Sequence, residues 1–85
     1  MYTLATDPRA ESDLARLPST IAQRVRRRLE RLCENPDNEH HKALKGKHKG
    51  KFSLRVAKHY RIIYSFDKSA EKVTVHQIGH RSKVY

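Results

Sequence analysis

Apolar residues recur along this chain with two different periods. Up to Cys33 the period is helical. Ala10, Leu14 and Leu17, then Ile21, Val25, Leu29, Leu32 and Cys33, recur at the three- and four-residue steps that gather side chains on one side of an α-helix. From Phe52 onward the period is two. Phe52, Leu54 and Val56 alternate with Lys51, Ser53 and Arg55, and Ile62, Tyr64 and Phe66 alternate with Arg61, Ile63 and Ser65. That is the pattern of strands with one buried face. Val73, Val75 and Ile78 mark a last, less regular strand after a turn at 67–71.

The punctuation between these runs sets their bounds. Met1 to Ala5 reads as a short strand with Tyr2 and Leu4 on one face. Asp7-Pro8 has the form of an N-cap and first helical residue, and Pro18 stops the helix after Leu17. Thr20 with Gln23 three residues on forms a capping box for a second helix, which Asn35-Pro36 ends. Residues 36–50 are polar and without period, so a loop is expected, ordered at most around Ala43 and Leu44. The order is β-α-α-β-β-β. The fold class is α+β: a small antiparallel sheet with a two-helix hairpin packed on one face, in a single domain spanning 1–85.

Strand alternation also sorts the polar residues. If Phe52, Leu54 and Val56 face the helices, then Lys51, Ser53 and Arg55 face away, and Arg61 joins them from the next strand. Arg55 and Arg61 then share an uncovered sheet surface that Arg81 and Tyr85, after the last strand, can approach. Cations gathered there repel one another unless an anion lies between them, which makes this surface the candidate site. Lys47, Lys49, Lys51 and Ser53, leading into and along the same strand, are candidate substrate-binding residues.

Composition names the partner class. The 85 residues carry a formal net charge of +10, and from His40 to Phe66 there is no Asp or Glu against eight Lys/Arg and four His. Such a surface favours polyanions, nucleic acid first and an acidic protein second. Arg24, Arg26, Arg27, Arg28 and Arg31 on the second helix are either a solvated face or a further nucleic-acid or partner contact. The single Cys33 excludes an internal disulfide and fits a reducing compartment. No apolar run reaches the roughly 20 residues that span a bilayer, and the first residues do not begin a signal peptide. A cytoplasmic protein without membrane association is expected.

His40, His41 and His48 lack a Cys or carboxylate at ligand spacing, so neither metal nor cofactor is expected, nor a stable small-molecule ligand. His59 belongs to a turn, and His76 to a strand with undefined facing. His80, beside Arg81, is the best placed for proton exchange. Tyr2, Tyr60 and Tyr64 read as core or sheet residues. Tyr85 is an aromatic beyond any strand, with no helix following, and can stack on a base, transfer a proton, or close the core edge.

These features together resemble the RelE/ParE superfamily of toxins from type II toxin–antitoxin modules. The resemblance rests on Leu44-Lys45-Gly46, Leu54-Arg55-Val56, Tyr60-Arg61-Ile62-Ile63-Tyr64 and the closing Gly79-His80-Arg81 with Val84-Tyr85, in this order and spacing. It is closest to RelE-like members, ribosome-dependent endoribonucleases that cleave mRNA in the ribosomal A site without metal. The resemblance implies that Arg55, Arg61, Arg81 and Tyr85 occupy catalytic positions, with His80 or an arginine as the acid and Lys51 or a neighbouring lysine assisting. It also implies an acidic cognate antitoxin, with the ribosome and mRNA as the other partners. Ser53 stands where some members carry a second basic residue, no strand Glu is present, and Ala57-Lys58-His59 replaces a frequent Gly-Asp before Tyr-Arg. A ParE-like toxin that inhibits DNA gyrase without cleaving RNA is the alternative, and a non-catalytic RNA-binding module is the third.

Overall fold

A computed structural model describes residues 1–35, 42–44, 46 and 49–84. Pro36, His40, His41, Lys45, Lys47, His48 and Tyr85 lie outside the described residues. The elements are β1 (Thr3–Thr6), α1 (Pro8–Arg16), α2 (Ser19–Glu34), β2 (Lys42–Ala43), β3 (Phe52–Val56), β4 (Tyr60–Asp67), β5 (Lys72–His80) and α3 (Arg81–Val84). The strands form one sheet in the order β1-β5-β4-β3-β2.

The α+β fold with a helical hairpin is as expected, and the central pairs β3–β4 and β4–β5 are antiparallel. The sheet as a whole is mixed, because β1 pairs in parallel with β5. Only long-range register decides that: the hairpin returns the chain so that β1 meets β5, its partner almost 70 residues later. The N-terminus is pinned by the Tyr2 amide on the Cys33 carbonyl (2.8 Å) and the Thr3 amide on the Glu71 carbonyl (2.8 Å). The loop expected over 36–50 contains the two-residue strand β2, which pairs with Phe52 and Ser53.

Both expected helix caps differ in detail. Asp7 is the N-cap of α1 with Pro8 following, but its carboxylate makes no capping bond. It accepts from His76 Nδ1 at 2.9 Å instead. The second helix begins at Ser19 with Pro18 at the N-cap and no side-chain cap, so the Thr20/Gln23 box does not form. Proline fixes the chain direction and needs no amide at that point. The expected end at Asn35 holds.

The core lies between the helices and one sheet face. Ala10, Val25, Leu29, Leu32 and Cys33 from the helices meet Leu54, Val56, Ile62, Tyr64, Val73, Val75 and Ile78 from the strands. Phe52, Tyr64 and Phe66 form an aromatic group with ring centroids 5.1–6.4 Å apart. Leu4 remains 42% exposed, because β1 is an edge strand. Burial pushes the Cys33 thiol above its ordinary pKa, since the thiolate would lose its hydration. Among the described residues no helix is long and apolar enough to cross a membrane.

Candidate functional site

The site is built on the end of the sheet where the β3–β4 hairpin turns. Val56 pairs with Tyr60, leaving Ala57, Lys58 and His59 as the turn. Ala57 and Lys58 take positive φ of 50° and 66°, a conformation that costs a non-glycine residue about 1–2 kcal/mol. The turn fixes register, and register places Arg55 directly opposite Arg61, with Gly79 opposite Arg61 on β5. Residues opposite each other on neighbouring strands share a face, with Cβ atoms about 5 Å apart. Two arginines there are a like-charge pair, and Gly79 contributes no side chain that would fill the space beside them. Arg55 is exposed and Arg61 half-buried.

Arg81 reaches the same end by a different route. Its amide donates to the His59 carbonyl at 2.7 Å, and the strand then gives way to the single turn α3, an element absent from the expected β-α-α-β-β-β order. His80 starts that turn. Its Nδ1 accepts from the Ser82 amide at 3.3 Å and lies 2.8 Å from Ser82 Oγ, which is N-capping by an imidazole. Since Nδ1 is held as an acceptor, neutral His80 carries its proton on Nε2.

His80 is paired with Tyr60 rather than with Arg61, so strand alternation puts it on the opposite face from the Arg55–Arg61 pair. Its ring stacks on His59 (5.9 Å between centroids) and meets Tyr60 edge-on (5.6 Å). It also lines a hollow of ≈ 330 Å³ with Arg9, Arg16, Tyr60 and Gln77, between α1 and the part of β5 beyond β1. There Asp13 accepts from the Ile78 amide at 3.1 Å, satisfying an edge donor that β1 is too short to reach. The sequence marks His59 only as a solvated turn residue. Its place against His80 depends on two segments meeting in space, and nothing in its local sequence signals it.

The far sheet face is less open than expected. Ser53 and Ile63, paired across β3 and β4, are only 3% and 1% exposed, while α3 lies against β4 and β5. Ser53 is therefore not presented to a substrate in this arrangement. Lys51 is half-buried just before β3, and Lys49 is exposed in the preceding turn. Lys47 and Tyr85 lie outside the described residues, so Arg55, Arg61 and Arg81 are the described part of the candidate site. Their fixed charges can hold and neutralise a phosphodiester.

The chain's likeness to known proteins agrees with this architecture. The family model described as the ParE toxin of the type II toxin–antitoxin system parDE matches residues 4–85. Among solved structures, the RelBE2 toxin–antitoxin complex of Mycobacterium tuberculosis holds a chain 29% identical to this one. It has a TM-score of 0.82 over 96% of this chain and 93% of that chain. The isolated E. coli RelE toxin is 26% identical, with a TM-score of 0.79 over 100% and 92% of the two chains. The YoeB/ParE toxin from Agrobacterium tumefaciens, 18% identical, shares the fold with a TM-score of 0.77 over 92% of this chain and 96% of its own. No curated protein is a significant match.

Proposed function

The chain belongs to the ParE toxin family of type II toxin–antitoxin systems, within the RelE/ParE superfamily, and we propose that it is a ribosome-dependent endoribonuclease cleaving mRNA in the A site. One observation carries this choice: Arg55 stands opposite Arg61, with Arg81 tied to the adjoining turn. A pair of like charges placed directly opposite each other across two strands concentrates positive charge at this end of the sheet. It fits a group whose negative charge grows during reaction, as the phosphorane of RNA cleavage does.

Cleavage without metal needs three events. A base removes the proton of the 2′-hydroxyl, the 2′-oxygen attacks phosphorus in line, and the bond from phosphorus to the 5′-oxygen breaks as an acid protonates that oxygen. The products are a 2′,3′-cyclic phosphate and a free 5′-hydroxyl. In this scheme Arg61 and Arg81 bind and neutralise the phosphate, while Arg55 and Lys51 add charge. Tyr85 stacks on a base or removes the 2′ proton, and an arginine supplies the leaving-group proton, because His80, the other candidate acid, lies on the opposite sheet face from the Arg55–Arg61 pair. The ribosome supplies much of the substrate positioning. An acidic antitoxin neutralises the toxin, in keeping with the toxin–antitoxin complexes of the similar M. tuberculosis and E. coli structures. Action in the cytoplasm follows from this target.

The test is incubation of the purified protein with programmed ribosomes, mapping of mRNA ends, and a parallel DNA gyrase supercoiling assay. New ends within the A-site codon, lost in Arg61→Ala at unchanged melting temperature, are the expected result. Intact mRNA with inhibited gyrase would replace this reading by the second one, a ParE-like gyrase inhibitor. The match to the ParE family model is the observation that favours that second reading.

A further inference from the structure

We propose that the arginine stripe of α2 is a second RNA-backbone contact, continuous with the Arg55–Arg61 pair around the outer edge of β3. Arg24, Arg27, Arg28 and Arg31 recur at steps of three, one and three residues, which puts them on one side of the helix over about 10 Å of its axis. They do not simply point into solvent. Together with Arg55, Val56 and Ala57 they line a groove of ≈ 280 Å³. The groove exists because β2 is so short: it pairs only with Phe52 and Ser53, so the outer edge of β3 at Leu54–Val56 carries no strand among the described residues. Arg55 belongs both to this groove and to the cross-strand pair, and so joins the two surfaces.

Charge and composition point to a phosphate backbone as the occupant. Among the described residues no carboxylate lines the groove, and Arg24, Arg27, Arg31 and Arg55 have no ion-pair partner. Those four arginines therefore line one groove with no acidic side chain beside them among the described residues. A protein partner held stably there would need an apolar centre to its interface. The exposed large apolar residues among those described are Met1 and Leu4, at β1 on the opposite edge of the sheet. Contacts to an RNA backbone need cations and no apolar anchor. This inference rests on the nuclease reading, since the RNA held along α2 is taken to be continuous with, or carried beside, the strand that reaches Arg61.

The test uses the full chain carrying Arg24→Gln, Arg27→Gln and Arg31→Gln together. All three side chains are exposed and glutamine has a similar helix propensity, so circular dichroism and melting should be unchanged. Binding of a fluorescein-labelled single-stranded RNA, without ribosomes, is followed against salt concentration. The slope of log affinity against log salt should shrink by about 2, at roughly 0.7 for each phosphate that the variant no longer neutralises. Affinity at low salt should fall more than 10-fold, whereas Lys72→Gln, at the far end of β5, should keep the wild-type affinity to within a few-fold. An unchanged slope in the triple variant overturns the proposal. So does a variant that keeps its RNA affinity but loses that for the antitoxin, which would assign the stripe to a protein partner. Failure of the wild-type protein to cut mRNA on programmed ribosomes would count against the nuclease reading alone, because the ribosome-free binding measurement does not depend on cleavage.

Discussion

Arg55 and Arg61 are where the interests of folding and function diverge most plainly. They face each other across β3 and β4, a like-charge opposition that opposes folding, and Arg55 stands at an exposed position where side-chain packing offers little in return. Arg55→Gln should therefore stabilise the free protein by about a few tenths of a kcal/mol, measured as a higher urea midpoint at low salt. Added polyanion should raise the wild-type midpoint more than that of the variant. A loss of stability on substitution would show that the pair is already compensated within the protein. Cys33 makes the opposite case, a reactive group without a use. It is 5% exposed and its thiol is held neutral by burial. Iodoacetamide should modify it only on global unfolding, with labelling that tracks the denaturation curve.

At the scale of elements, the β3–β4 turn positions the site, and the β5 bulge ties the end of β1 to the sheet. Ala57 and Lys58 occupy left-handed backbone where glycine would be at ease. Lys58→Gly relieves a cost of about 1–2 kcal/mol, offset in part by the greater chain entropy of glycine, about 0.5–1 kcal/mol. A net gain on the order of 0.5 kcal/mol should appear in thermal or urea unfolding, and a loss would mean that the Lys58 side chain contributes more than its backbone conformation costs. On the other side of β4, the register shifts between Ile63 and Tyr64, leaving His76 as the extra residue. The bulge is held by a chain of hydrogen bonds: Asp7 Oδ2 accepts from His76 Nδ1 at 2.9 Å, and His76 Nε2 lies 2.8 Å from Ser65 Oγ. Since this chain ties the end of β1 to the sheet, Asp7→Ala should cost about 1 kcal/mol without affecting RNA binding. A substitution that left stability unchanged would show that the bulge is fixed by backbone pairing alone.

For the molecule as a whole, stability rests on one core layer between two helices and one sheet face, in a chain where such cores supply little surplus. Leu32 and Tyr64 are fully buried in it, and Leu32→Ala should cost about 2–5 kcal/mol, a large part of the roughly 5–15 kcal/mol typical of a domain. The expected outcome is a protein partly unfolded at 37 °C by circular dichroism and rescued by Leu32→Met, which conserves volume. The core was the most legible part of the fold. The stripe Ile21, Val25, Leu29, Leu32, Cys33 and the alternation at Phe52, Leu54 and Val56 announce it, because burial imposes a period on sequence. β2 was less legible, being two residues long, as was α3, a single turn whose start is capped by His80 on Ser82. Of the candidate site, the opposition of Arg55 and Arg61 was legible once the strands were read as adjacent. The facing of His80, the stacking of His59 and the burial of Ser53 were not, since each depends on which neighbour arrives from elsewhere in the chain.

The linear order of residues was enough to determine the longer elements, the identity of the core and the cationic character of the surface, because periodicity and charge are local properties that survive without a fold. It did not determine that β1 runs parallel to β5, that Asp7 serves His76 rather than its own helix, or that the α2 arginines meet Arg55 at the edge of β3. Those relations join residues tens of positions apart, and register and packing alone set the distances between them. A basic composition became an arranged group of cations only when the turn at Ala57–His59 brought one strand's arginine opposite the next strand's.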